Sequence, residues 1–267
     1  MSNEKREFFF GRWDVEVQEI VEILISQSVP YSNFVFWGER LPDTQKYSEE
    51  ILRAANEGKE PVLVKMDIND SAIPQDVTFI DCHAVDEGAA VGMEDSKIPA
   101  ILRVLEMLNI SPTRNDQLVA AYAFGGTAAL NGDTNIPGIG LLAATQEEVS
   151  RVRSANACAE GICSQCSATR LEWSKLRRIE PHPDEVARIE IPYLGSLSSN
   201  HLAVRKNGEV SFEGSALFAR IFHEIFPSGR LTHNQTKEGR VATWTNTSIE
   251  LHRLCDFMER IIAKYWV

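Results

Sequence analysis

Short apolar runs alternate with segments of helical periodicity along the first half of the chain. The runs that predict strands are residues 7–10, 34–38, 61–68 and 77–81. The segments that predict helices, with apolar residues recurring every three or four positions, are residues 15–27, 44–56 and 96–108. Another helix is expected to follow Ser111 and Pro112, and a capping box at 145–148 opens the next. This alternation predicts an α/β fold with a mostly parallel sheet and helices on both faces.

The second half of the chain has a different pattern. Residues 168–180 predict a helix, and strands are expected at 187–193, 201–205, 209–213, 229–234 and 240–245. Asn207 and Gly208, between two of these strands, are a strong hairpin signal. Helices are expected at 215–226 and after a second capping box at 247–250. We expect a linker near 180–187, between a parallel-sheet domain at 1–180 and a smaller α+β domain at 187–267.

Charge and composition narrow the class of partner. The 38 acidic residues outnumber the 27 lysines and arginines, which gives a net charge of -11. This surplus disfavours bulk attraction to long nucleic acid or to an anionic membrane. No segment reaches the roughly 18 consecutive apolar residues of a membrane span, and the amino-terminal segment lacks the apolar core of a signal peptide. Together with the odd number of cysteines, five, this predicts a cytoplasmic protein.

Polar side chains follow several of the predicted strands, at the position where open parallel sheets bind ligands. The acidic and imidazole side chains there are Asp14, Asp67, Asp81, His83 and, in the segment 131–135 (NGDTN), Asp133. Carboxylates with imidazole suit Mn²⁺ or a similar ion, and two such ions suit phosphoester hydrolysis. Structural roles stay open beside this interpretation, with Asp14 as the cap of the next helix and 131–135 as a turn.

Two segments resemble the DHH phosphoesterase superfamily. In IDCHAVDEG an apolar strand ends in Asp81, Cys82 and His83, which is similar to the Asp-His-His signature of that superfamily. The sequence NGDTNIPGIGLLAATQEEVSRVR, which begins at Asn131, resembles a later acidic motif. The resemblance implies a parallel-sheet domain that holds the metal site and a smaller domain that closes over the substrate.

The resemblance also implies roles for individual residues. The implied metal ligands are Asp14, Asp67, Asp81, Cys82 and Asp133. His83 would face the scissile phosphate and stabilise it or assist proton transfer. Asp81 and His83 are the expected catalytic residues. The expected substrate contacts are Asn131, Asn135, Arg230, His233 and Arg240.

The chain departs from the family pattern in three ways. Cys82 stands where the family has a histidine, and a thiolate suits Zn or Fe better than Mn. One aspartate, Asp14, lies near the first motif, where the family has two. The glycine-rich substrate motif of the family's second domain is not found in the sequence. A non-catalytic DHH-like protein that binds a ligand or partner therefore remains an alternative.

A second cluster consists of Cys158, Cys163 and Cys166, with the spacing C-x4-C-x2-C. This spacing is typical of plant-type iron–sulfur ligands, whose fourth cysteine is distant in sequence. Cys255 is the candidate for the fourth ligand, and zinc is an alternative occupant. Cys255 lies in an apolar helical segment, where a small buried thiol is common, so a purely structural role also stays open.

The sequence therefore predicts a metal-dependent phosphoesterase that acts on a small nucleotide or short oligonucleotide, with manganese as the expected metal. The alternatives are a non-catalytic binding protein and an iron–sulfur or zinc protein. The expected partner is a small phosphorylated ligand, with no membrane and no long nucleic acid. The pattern leaves the oligomeric state open, a homo-oligomer included.

Overall fold

The computed structural model describes residues 5–11, 13–32, 44–66, 77–80, 98–160, 177–191, 200–247 and 249. The chain divides into two compact units, Met1–Arg153 and Ser154–Val267. The described residues of the first unit include a parallel sheet, and those of the second unit include an antiparallel sheet. Helices accompany the strands in both units. The expected mixed α/β class is therefore confirmed.

Four strands form the parallel sheet, in the order β2-β1-β3-β4. They are β1 (Arg6–Phe10), β2 (Tyr31–Ser32), β3 (Glu60–Val64) and β4 (Thr78–Ile80). The central pair runs in register from Arg6 opposite Glu60 to Phe10 opposite Val64. The predictions of β1, β3 and β4 are confirmed, whereas the strand predicted at 34–38 lies outside the described residues.

The apolar run in β1 explains why this strand lies at the centre of a covered sheet. Phe8, Phe9 and Phe10 are all fully buried. Because successive side chains of a strand point to opposite faces, both faces of β1 are covered, as is usual for parallel sheets. Helix α2 (Thr44–Asn56) packs on the face of Phe9, where Ile51 belongs to the same hydrophobic cluster.

The remaining helices up to residue 160 are α1 (Val15–Ser26), α3 (Ala100–Met107), α4 (Arg114–Leu130) and α5 (Gln146–Ala159). Helix α1 is buried from Val15 to Ile25 and packs against α3 and α4. Helix α4 begins two residues later than the sequence predicts. Thr113 is its cap rather than Ser111, because Thr113 and Asp116 form a reciprocal capping box. The boundary between the two units falls inside α5.

The segment after α4 is a β-hairpin, and not a loop beyond the parallel sheet. Strands β5 (Asn131–Ile136) and β6 (Gly140–Ala143) pair with each other in a two-stranded sheet. The apolar segment before them is the second half of α4 and bends at Gly125 and Gly126. Gly126 has φ 61° and ψ −143°, a conformation that favours glycine. The alternative interpretation of 131–135 as only a turn is therefore wrong, since these residues belong to a strand.

The second unit contains a six-stranded antiparallel sheet in the order β11-β12-β10-β9-β8-β7. Its strands are β7 (Arg177–Ile179), β8 (Glu185–Ile191), β9 (Asn200–Arg205), β10 (Val210–Gly214), β11 (Arg230–Gln235) and β12 (Arg240–Asn246). The hairpin predicted at Asn207 and Gly208 is confirmed, since Gly208 has φ 82° and its N–H bonds to the Arg205 carbonyl. Helix α6 (Ala216–Ile225), capped by Ser215, packs on this sheet.

Aromatic side chains form the core between α6 and the sheet. Trp244 on β12 is fully buried and stacks on Phe222 of α6, with ring centroids 5.2 Å apart. The ring centroids of Phe222 and of Phe212 in β10 are 5.1 Å apart. Gly229 lies so close that a Cβ there would be 2.2 Å from the Trp244 indole nitrogen. The chain thus requires glycine at 229 to let this tryptophan into the core.

Two sequence predictions change in this part of the chain. Residues 177–179, predicted as the end of a helix, form β7 and pair with β8. The segment 180–184 then joins two paired strands of one sheet, so it is a hairpin connection where a linker was expected. Pro181 and Pro183 suit such a connection, because proline fixes φ and donates no backbone hydrogen bond.

Candidate functional site

Three charged side chains meet where the adjacent strands β1 and β3 end. Lys65 directly follows β3, and Asp14 and Glu16 lie at the start of α1, just after β1. The Lys65 Nζ lies 2.7 Å from Asp14 Oδ2 and 2.5 Å from Glu16 Oε2. We name Asp14, Glu16 and Lys65 the carboxyl-edge cluster. It occupies the edge at which open parallel sheets bind their ligands.

A glycine allows the two strand ends to come close enough for this cluster to form. The Gly11 N–H donates to the Val64 carbonyl at 3.1 Å, which extends the pairing of β1 with β3 by one residue. A Cβ at Gly11 would stand 2.3 Å from the Lys65 carbonyl oxygen and 2.7 Å from Met66 Cα. Both contacts are with backbone atoms, which have no rotamer by which to move away. Gly11 therefore sets the spacing on which the cluster depends.

The backbone of Lys65 adopts a conformation that is uncommon for a residue with a side chain. Its φ is 51°, in the left-handed region. Its N–H still bonds to the Ile80 carbonyl of β4 at 2.9 Å, so the sheet holds the residue in place. Left-handed backbone at a non-glycine residue persists where surrounding structure stabilises it, often at functional sites.

Each carboxylate of the cluster gives one oxygen to a helix amino terminus and the other to Lys65. The Val17 N–H of α1 donates to Asp14 Oδ1 at 3.0 Å, so the predicted capping role of Asp14 is confirmed. The Ile101 N–H of α3 donates to Glu16 Oε1 at 3.1 Å. Pro99, the residue before α3, supplies no side-chain cap. Glu16 therefore caps α3 from another helix, and Lys65 joins both caps.

The cluster is almost dry. The side chains of Glu16, Lys65 and Asp14 are 0%, 4% and 12% exposed. Charges removed from water at this depth are tolerated when they are paired and their remaining hydrogen-bonding capacity is used. With two carboxylates and one ammonium, the cluster has a formal charge of −1. A further anion would be repelled by the cluster itself, so an anionic ligand at this edge would have to contact other residues.

Most of the predicted catalytic and metal residues lie outside the described residues; these are Asp67, Asp81, Cys82 and His83. Asp14 is described, and its two oxygens are used by the Val17 amide and the Lys65 ammonium. This donor set does not fit a metal ligand, because a divalent ion would have to share Asp14 Oδ2 with a buried positive charge. Asp14 thus has a structural role that accounts for its position.

Asp133 and its neighbours lie on the hairpin formed by β5 and β6. Asn131, Asp133 and Asn135 alternate with less exposed residues and share the exposed face of β5. Arg114 anchors this hairpin, since its Nη2 donates to the Ala143 carbonyl of β6 at 3.0 Å.

The same arginine also pairs with α5. Arg114 Nε and Nη2 bind the two carboxylate oxygens of Glu148 at 2.9 and 3.0 Å. This pairing lowers the pKa of Glu148 to about 2. Glu148 also forms the predicted capping box with Thr145, which is confirmed. Asp133 is therefore carried on a well-anchored element and points its carboxylate to solvent.

The three expected substrate contacts of the second unit do not share one face of its sheet. His233 is opposite Ala242, and Gln235 is opposite Arg240, so His233 and Arg240 lie on the same face. Arg230 is opposite Thr245, which places it on the other face. Arg240 is 6% exposed, whereas Arg230 and His233 are exposed. The structure thus brings together at most two of the three.

Three titratable side chains lie side by side across the middle of the same sheet. His201 of β9 is directly opposite Glu190 of β8 and Glu213 of β10. Burial and the nearby charge of Arg188 lower the pKa of His201, and the two glutamates act in the opposite direction. The imidazole is therefore held in its neutral form at physiological pH.

The cysteine cluster is represented by one member. Cys158 lies in α5 and is buried, 3% exposed. Cys163, Cys166 and Cys255 lie outside the described residues. Among the residues that the structure describes, no group of three or more histidine, cysteine, aspartate or glutamate side chains is arranged to hold a metal ion. The iron–sulfur and zinc interpretations stay predictions.

Sequence reasoning missed Lys65 and Glu16. The signal for Lys65 is its position directly after the apolar run of β3, where a polar side chain reaches the ligand-binding edge of the sheet. Glu16 resembled an ordinary acidic residue in the first turn of a helix, where it favours the helix dipole. Its partners, Lys65 and the Ile101 amide, are distant in sequence.

Comparisons with protein-family models, curated proteins and solved structures found no match to this chain. Of the helices within the described ranges, none has the length and apolar character needed to cross a bilayer.

Proposed function

We propose that this protein is a phosphoesterase-like protein that binds a small phosphorylated molecule, a nucleotide or short oligonucleotide, at the carboxyl edge of its parallel sheet, and hydrolyses its phosphoester. One observation carries the proposal. A buried charged cluster, with a lysine in left-handed conformation, lies at the ends of the adjacent strands β1 and β3. Burying three charges is costly, and non-glycine residues in left-handed conformation cluster at functional sites.

Most of the reacting groups would come from the residues that follow β3 and β4. Asp81 and His83, directly after β4, would orient the phosphoester and exchange a proton with the attacking water. Asp67, Asp81 and Cys82 would hold a divalent metal together with Asp133 of the β5–β6 hairpin, and such an ion supplies an activated water when bound. The carboxyl-edge cluster would fix the backbone from which these residues extend. The net charge of -11 favours a small substrate over long nucleic acid.

A second candidate function is ligand binding without hydrolysis. Lys65 favours it, because its ammonium is already paired with Asp14, the aspartate nearest to the first motif. A chain that has exchanged a metal ligand for an ion pair would retain the fold and the ligand-binding edge but have one ligand fewer for two-metal chemistry. Both candidates predict binding at the same edge, so only turnover separates them.

The test combines hydrolysis with binding. Purified protein is assayed with bis-p-nitrophenyl phosphate and with short dinucleotides in added Mn²⁺, and binding of nucleoside monophosphates is followed by calorimetry. Turnover that Asp81→Ala and His83→Ala abolish, and that Cys166→Ala leaves unchanged, supports the phosphoesterase. Binding without turnover supports the second candidate. A protein that neither binds nor hydrolyses these compounds would contradict both.

A further inference from the structure

We propose that Lys65 is a built-in cation, which takes the place of a metal ion between Asp14 and Glu16 and excludes these two carboxylates from metal binding. The inference concerns which cation the edge holds, so it does not require that the protein hydrolyse anything. It also offers a different role for Asp14 from the expected metal ligand, because the Lys65 ammonium is bonded to Asp14 Oδ2.

The arrangement of oxygens around Lys65 Nζ is that of a cation site. One oxygen of Asp14 and one of Glu16 point to the same centre, at 2.7 and 2.5 Å. Oxygen ligands approach Mg²⁺, Mn²⁺ and Ca²⁺ at about 2.0 to 2.6 Å. An ion of this class therefore needs only a small contraction of the same pair of oxygens. Without the ammonium, the two carboxylates would provide two of the ligands, and water would complete the shell.

The ammonium is fixed in this position. The Lys65 side chain is 4% exposed, and its backbone N–H is bonded to the Ile80 carbonyl of the neighbouring strand. The other oxygens of Asp14 and Glu16 are bonded to the amides of Val17 and Ile101. The carboxylates therefore cannot turn away from Lys65 without uncapping a helix. A divalent ion beside the lysine would meet strong repulsion, because charges in dry surroundings are poorly screened.

The main experiment removes the ammonium and keeps the length of the side chain. Lys65→Met and wild-type protein are freed of metal and titrated with Mn²⁺, with bound ions counted by the loss of the free Mn²⁺ electron paramagnetic resonance signal. We expect Lys65→Met to bind one more Mn²⁺ per chain than wild type and to gain thermal stability as Mn²⁺ is added. The matched control is Lys59→Met, which removes a lysine paired with the buried Glu7 and should bind the wild-type number.

A second variant tests the same idea in a background that keeps Lys65. Asp14→Asn retains an efficient helix cap and removes the carboxylate. If Lys65 already fills the site, the number of Mn²⁺ ions bound by Asp14→Asn equals that of wild type. A lower number would show that Asp14 is a metal ligand and would overturn the proposal.

The outcomes are decisive in each arm. Adding Asp14→Asn to Lys65→Met should abolish the extra Mn²⁺, which locates it at this cluster. Should Lys65→Met be unfolded without metal, refolding upon Mn²⁺ addition supports the inference, and failure to refold contradicts it. No extra ion in a folded Lys65→Met also contradicts it. Failure of hydrolysis in the functional assay changes none of these counts, so the two proposals fail separately.

Discussion

Both ends of the parallel sheet hold a buried carboxylate paired with a lysine, but the lysine is buried at one end and partly exposed at the other. At the carboxyl edge, Lys65 is 4% exposed and serves two carboxylates. At the amino edge, Glu7 is 6% exposed, and Lys59 and Arg53 reach it from partly open positions, at 29% and 43% exposure. We name Glu7, Arg53 and Lys59 the amino-edge cluster.

The difference concerns which group is kept from water. The amino-edge cluster buries one acid and leaves its two cations hydrated, and Arg53 also pairs with the exposed Glu50 and Glu57. Such pairs are weak individually but cost little to form. The carboxyl-edge cluster buries all three charges, a much larger desolvation cost. A partly exposed cluster like that at the amino edge would be enough to connect β1 with β3 at both ends of the sheet. The larger desolvation cost at the carboxyl edge therefore indicates a functional reason.

The largest expected effect comes from removing each lysine in turn. Lys65→Met leaves Asp14 and Glu16 buried beside each other without their shared cation. We expect a loss of about 3 to 5 kcal/mol in the free energy of unfolding. Lys59→Met leaves Glu7 with Arg53, and we expect a loss of about 1 kcal/mol or less. Urea unfolding in metal-free buffer, followed by circular dichroism, measures both. Equal losses would show that the two edges do not differ in the way described.

A smaller effect is expected from the glycines at the two edges. Gly11→Ala places a Cβ 2.3 Å from the Lys65 carbonyl oxygen, and a backbone shift is needed to relieve it. We expect a loss of about 1 to 3 kcal/mol. Gly58, which precedes β3 at the amino edge, has φ 77° and open space around its Cβ position. Gly58→Ala should cost about 1 kcal/mol from backbone strain alone.

Unfolding measurements on both glycine variants test whether the carboxyl edge is the tightly fitted one. A second readout is available for Gly11→Ala, because a displaced Lys65 would loosen the ion pair with Asp14. The variant should therefore bind Mn²⁺ more readily than Gly58→Ala does. A Gly11→Ala protein as stable as wild type would contradict the spacing role given to this glycine.

Local signals made much of the fold predictable. The apolar runs of β1, β3 and β4, the capping box at 145–148 and the Asn207-Gly208 hairpin all act within a few residues. The strand β5 was missed for the opposite reason. Its residues, NGDTNI, favour turns by composition, and pairing with β6 and packing against α4 hold them extended. The strand β7 likewise depends on its pairing with β8.

The candidate site was predictable in location but not in content. The rule that ligands bind beyond parallel strands pointed to Asp14 from the sequence alone. The partner of Asp14 is 51 residues away, and the amide that Glu16 caps is 85 residues away. No periodicity or local motif reports a contact at that separation. A lysine is also not among the side chains expected to bind a metal, although Lys65 determines what Asp14 and Glu16 can bind.

Alkaline pH should weaken the amino-edge cluster by a predictable route. The hydrogen bond to Glu7 raises the pKa of Lys59 above 10.5. A raised pKa means that the stabilisation is fully present below the unfolded value of 10.5 and is lost as pH rises through the folded value. The stability gap between wild type and Lys59→Met, about 1 kcal/mol or less, should thus be flat from neutral pH to 10.5 and shrink above it. A gap that shrinks at lower pH would contradict this assignment.

Salt should separate the two edges by the smallest but most specific effect. Double-mutant cycles give the coupling of Lys59 with Glu7, using Lys59→Met and Glu7→Gln, and of Lys65 with Asp14, using Lys65→Met and Asp14→Asn. At about 1 M salt the screening length falls to roughly 3 Å, and ions reach Lys59 because its side chain is 29% exposed. We expect the first coupling to fall by a few tenths of a kcal/mol. The second should not change, because mobile ions have no access to a side chain that is 4% exposed. If salt weakens both couplings equally, then Lys65 is accessible to ions, and an accessible lysine could not keep a metal away from Asp14 and Glu16.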